Sequence, residues 1–256
     1  MQSKVKQVLI AMLAILSMSC ECPTDIKSPT IIKPTVFANV LFINAMPEQN
    51  LNTLYVLSSS KIVERLDTII YNDSSQSLIK LKNYIPVGVM VGDKKNTLKL
   101  AKTERTAQGD TLKLLFNNVL NIKKDSNYTF IAFGAEESVQ SLMIKDYIEN
   151  PQESNIYIRC INVSPDAPTI YFTISTEGYT RKFSLSSGEY SELANSPAGD
   201  YSISLTSADS TIKNSSYEKL KLAKGKINNI IFRGNFKGTS VNPRELIIVT
   251  GNYPLK

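Results

Sequence analysis

One ten-residue pattern occurs twice in this chain. VLFINAMPEQ, at residues 40–49, and IRCINVSPDA, at residues 158–167, share the spacing of their apolar residues, asparagine, proline and acidic residue. Val40 lies over Ile158, Phe42 over Cys160, Ile43-Asn44 over Ile161-Asn162 and Pro47-Glu48 over Pro165-Asp166. Alternate apolar residues up to the asparagine have the two-residue period of a half-buried strand. Turn chemistry follows, because Pro fixes φ and a carboxylate accepts from nearby backbone N–H groups. An apolar strand then comes in each copy, at residues 54–57 and 170–174. Two landmarks downstream keep their order: Pro86-Val87-Gly88 over Pro197-Ala198-Gly199, and NYTFIAFG ending at Gly134 over INNIIFRG ending at Gly234.

A unit that recurs once, with unequal spacing, is a domain and not a short-period solenoid repeat. The second copy holds further strands at residues 201–205, 218–226 and 245–251. Short strands at this interval, with Asn, Ser, Gly and Pro between them, indicate a sandwich of about a hundred residues. The segment TLKLLFNNVLNIKK, which also fits a short helix, is taken as strand. The expected fold is all-β, with two tandem antiparallel, Ig-like β-sandwich domains over 36–147 and 155–253. IENPQES supplies the linker at 148–154. An apolar fraction of 42% against 20% charged suits such packed bodies.

The first twenty residues read as an address. Lys4 and Lys6 precede an apolar run at residues 8–16, shorter than the ~20 residues of a membrane-spanning helix, and Ser17-Met18-Ser19 lead into Cys20. This is the build of a secretory signal. Leu16-Ser17-Met18-Ser19-Cys20 resembles the lipobox of bacterial lipoproteins, although its Leu stands one position early and Met18 is unusual there. The resemblance implies a signal peptide over 1–19 and lipidation of Cys20. Acyl chains contribute ~0.8 kcal/mol per buried methylene, so a multiply acylated Cys20 holds a membrane firmly. Glu21 stands where the inner-membrane retention signal has Asp, which implies outer-membrane or cell-surface placement. Residues 20–35, with three prolines, form an extended tether. Cys22 has no evident role there.

Histidine is absent from the whole chain. That removes the usual general base, the usual partner of a Ser or Cys nucleophile and the commonest zinc ligand. Cys160 replaces Phe42 on an inward strand position and reads as a small core residue. Glu48 and Asp166 hold equivalent places, as turn caps or as ligands for a cation or sugar hydroxyl; no dense Asp/Asn loop accompanies them for calcium. Tyr171, Tyr179 and Tyr190, in a chain without Trp, are the candidate binding aromatics, with strand positions as the plainer account. The net charge of +6 is spread out, without the clustered basic face that nucleic acid requires. No phosphate-binding glycine loop and no metal-ligand spacing occurs, so no cofactor and no metal are expected.

RCINVSPDAPTIYFTI, then Pro197-Ala198-Gly199-Asp200-Tyr201 and the strand ending at Gly234, resembles the domain of unknown function DUF4397. The resemblance covers 155–253 and extends to 36–147, where NYTFIAFG keeps the family's Tyr-Thr strand. It implies β-sandwich domains, often in tandem, in bacterial exported proteins and lipoproteins, and it brings no activity. The expectation is therefore a non-catalytic cell-envelope lipoprotein whose two modules make structural or adhesive contacts, with the membrane, a glycan or an envelope protein as partner. A glycan-binding surface module is the alternative, and a glycoside hydrolase built on two carboxylates the remote one.

Overall fold

A computed structural model describes residues 37–46, 53–58, 61–66, 84–90, 96–123, 125–213, 215–237 and 244–251. The strands of the first half are β1 (Phe37–Asn44), β2 (Thr53–Ser58), β3 (Lys61–Leu66), β4 (Tyr84–Met90), β5 (Asn96–Thr106), β6 (Gly109–Leu120), β7 (Asn127–Phe133) and β8 (Gln140–Asp146). Those of the second half are β9 (Ile156–Asn162), β10 (Ile170–Thr176), β11 (Tyr179–Leu185), β12 (Glu189–Tyr190), β13 (Ala194–Ser196), β14 (Asp200–Ser207), β15 (Ser215–Lys221), β16 (Ile227–Arg233) and β17 (Glu245–Thr250). The segment open to helix or strand is strand up to Leu120, within β6. The described residues fall in one compact unit.

Four sheets result. In the first half the orders are β4-β1-β7-β8 and β3-β2-β5-β6. In the second half they are β12-β9-β16-β17, with β13 also on β9, and β11-β10-β14-β15. The same scheme of pairing thus occurs in both halves. Its centre is a parallel pair, β1 with β7 and β9 with β16, within otherwise antiparallel sheets. The intervening strands lie largely in the other sheet, and after them the chain re-enters beside its first strand in the same direction. Register agrees residue by residue: Phe42 faces Phe130 as Cys160 faces Ile230, and Ile43 faces Ile131 as Ile161 faces Ile231.

The repeated asparagine has one local task. The Asn44 side-chain oxygen accepts from the Met46 N–H at 3.0 Å, and that of Asn162 accepts from the Ser164 N–H at 3.2 Å. Each closes an Asx turn where the strand ends. The following residues, Ala45 and Val163, donate to the carbonyls of Ala132 and Phe232, both at 2.8 Å. The proline landmarks diverge. Pro86 lies within β4, opposite Leu41, whereas Pro197 follows β13. Among the described strands β4 is a sheet edge, the position where a proline's missing N–H is tolerated.

Every residue of β7, β9 and β16 is buried. Alternation sends Val40, Phe42, Tyr128 and Phe130 into a first interior closed by Leu115 and Phe116 of β6. Ile158, Cys160, Phe172, Ile203 and Ile230 enter a second. Leu41, Ile43, Ile131 and Phe133, on the opposite faces, meet Ile161, Val163, Ile231 and Ile247 in a third apolar cluster. Sheets β4-β1-β7-β8 and β12-β9-β16-β17 therefore pack against each other. This explains why the runs VLFI and LIIV lack the polar alternation of a half-solvated strand.

Candidate functional site

Cys20, Cys22 and Glu48 lie outside the described residues. Asp166 is exposed, and both its oxygens are occupied: one accepts from the Phe236 N–H at 2.7 Å, the other from the Lys237 N–H at 3.1 Å. It bolts the turn after β9 to the loop after β16. Cys160 is fully buried, burial pushes its thiol well above the usual range, and its backbone N–H donates to Ser191 Oγ at 3.0 Å.

The three candidate aromatics are not brought together. Tyr171 is 44% exposed on the outer face of β10, opposite the inward Ile170 and Phe172. Tyr190 is 46% exposed on β12, at the edge of another sheet. Tyr179 pairs with Thr176, on the side of Ile174 and the second interior. Its hydroxyl is buried and, among the described residues, without a hydrogen-bond partner.

Polar side chains cross the packed central sheets. Asp146, the last residue of β8, accepts from Arg159 Nη1 of β9 at 2.5 Å and from Thr129 Oγ1 at 2.6 Å. Both members of the ion pair are buried, and Arg159 also donates to Asn229 at 3.3 Å. Arg233, fully buried at the end of β16, donates to the Asn44 carbonyl at 2.8 Å and pairs with Glu245 across the strand. Paired, hydrogen-bonded charges are the form in which an interior tolerates arginine.

Beside Asp146 the chain leaves β8 and passes through residues 147–155 into β9, and this passage forms one wall of a recess of about 300 Å³. Tyr147, Glu149, Asn150 and Gln152 line it from the passage, and Leu193 and Asn195 from the segment around β13. Its shape is fixed locally. Asn150 takes a left-handed φ of +52°, which asparagine tolerates better than most residues. The Gln152 N–H donates to the Tyr157 hydroxyl at 2.7 Å, and the Gly225 N–H donates to the Asn155 carbonyl at 2.7 Å. Gly225 itself has φ +62°, and a Cβ there would meet Glu153 backbone at 3.3 Å. Tyr147 is 58% exposed, and the Lys145 ammonium lies 5.5 Å from its ring centroid.

Amide side chains dominate this wall: Asn150, Gln152, Asn155 and Asn195. Each offers a donor and an acceptor. Glu149 is the one carboxylate among the described lining residues. No group of three or more His, Cys, Asp or Glu suited to a metal occurs among the described residues. Sequence reading takes residues 148–154 as linker only. The available signal was their run of polar amides beside Tyr147, which gains meaning only when the fold sets Asn195 opposite.

A family model described as "Domain of unknown function (DUF4397)" matches residues 38–173, more than half of the chain. The match begins at β1 and runs through the recess passage into β10. Comparison with curated proteins finds no match. Among solved structures, the chain is similar to a leucine-rich repeat protein from Bacteroides thetaiotaomicron VPI-5482, at 9% identity and a TM-score of 0.17. That alignment covers 76% of this chain and 25% of the other, and so slight a likeness carries no argument.

Proposed function

The chain belongs to the DUF4397 family, and from that premise we propose that it is a non-catalytic, lipid-anchored protein of the cell envelope, presenting its β-sandwich body for structural or adhesive contact. The observation that carries this reading is the N-terminal sequence: a basic start, a short apolar run and small residues ending at Cys20. Support comes from the body as well. Two halves joined through a third apolar cluster and two buried arginines make a stiff object to hold off a membrane. The absence of histidine and the burial of Cys160 weigh against nucleophilic chemistry.

Metabolic labelling with palmitate tests the anchor. Wild type is expected to carry label and to sediment with membranes, and Cys20→Ser to lose both. Unlabelled wild-type protein in the soluble fraction would refute the anchor. A second reading, a glycan-binding surface module, is favoured by one observation: a pre-shaped recess walled by amides and an exposed tyrosine.

A further inference from the structure

We infer that the recess between the β8–β9 passage and β13 is a saccharide subsite, taking one or two rings of a neutral glycan. The inference rests on the glycan-binding reading and is independent of lipidation at Cys20. Its chemistry follows from the wall. A sugar hydroxyl both donates and accepts, and so does each of Asn150, Gln152, Asn155 and Asn195.

The main competing ligands fit less well. An anion would face Glu149 and find no arginine or lysine among the residues lining the recess. A metal ion needs several hard oxygen ligands, and one carboxylate stands here. An apolar molecule needs a greasy wall, yet Ile148 and Leu193 are the aliphatic residues in it and both are half-exposed. Tyr147 adds the remaining element, an exposed aromatic ring beside the amides; such rings carry an apolar face for sugar C–H groups and a hydroxyl for their oxygens.

Size and stiffness agree. About 300 Å³ is the lower end of ligand-site volumes, enough for a small ligand and not for a long chain. The passage is held by Tyr157 and Gly225 before any ligand arrives, so little ordering cost is left for binding. Among the described residues, the amide groups of Asn150, Gln152 and Asn195 have no protein partner. They stay available to a ligand.

Saturation-transfer NMR with maltotriose, cellotriose, chitotriose and mannotriose tests this on full-chain Cys20→Ser protein, which keeps every recess residue. At least one trisaccharide is expected to bind saturably. Tyr147→Ala and Asn195→Leu should each weaken it tenfold or more while melting as the parent does. Tyr171→Ala and Tyr190→Ala should leave it unchanged. Binding that survives both recess substitutions, or that is lost only with Tyr171 or Tyr190, overturns the subsite and leaves the glycan reading standing. No saturable binding of any trisaccharide at millimolar concentration overturns both.

Discussion

Asp146 and Arg159 form a buried ion pair between the two halves. One ends the last strand of the first half, the other lies in the first strand of the second, and neither reaches solvent. A buried ion pair contributes modest net stability, because desolvation offsets most of the attraction; removing one partner leaves an unpaired buried charge and costs about 3–5 kcal/mol. Asp146→Ala is therefore expected to lose an amount in that range, with the Thr129 Oγ1 bond to Asp146 lost as well. The double variant Asp146→Leu/Arg159→Met should recover most of the loss. Urea denaturation with an unchanged m-value reads both. A single variant within about 0.5 kcal/mol of wild type would mean that the pair is hydrated and incidental.

Among elements, the turn that ends β7 and its counterpart after β16 use the same device. Gly134 has φ +96° and Gly234 φ +89°, a region that L side chains avoid. At Gly134 a Cβ would also stand 2.6 Å from the Ser138 carbonyl oxygen, a backbone atom. Gly134→Ala should cost about 1–3 kcal/mol. Gly178→Ala, at φ +68° with open space around it, should cost only the backbone share, about 1–2 kcal/mol. Equal thermal shifts for the two would show that the Ser138 segment simply moves aside. These glycines, with Asn44 and Asn162, are the part of the fold most legible in the sequence, since each encodes a local backbone need. What joins the halves was not legible. Leu41 and Ile161 read as continuations of an apolar strand, and only packed sheets reveal that their faces meet. The recess escaped for the same reason: Asn195 and Tyr147 lie far apart in sequence, and β13 brings them to one cavity.

At the scale of the whole molecule, the third apolar cluster decides whether the halves behave as two proteins or one. Separated, the first half would expose Leu41, Ile43, Ile131 and Phe133 together, a contiguous apolar face of the kind soluble monomers rarely show. Opening one half therefore strips the partner of its cover, so the two should unfold as a unit. Ile203→Ala tests this, because Ile203 lies in the second interior and takes no part in the shared cluster. The substitution should destabilise by about 2–5 kcal/mol, as large-to-small changes in well-packed cores do. Native-state hydrogen exchange locates that loss. If the halves are coupled, the amides of Phe130 and Ile131 in β7 lose as much protection as those of Ile230 and Ile231 in β16, because global opening exposes both. If protection falls in β16 alone, the central sheets part without cost. The stiffness that the envelope reading draws on would then have to come from elsewhere.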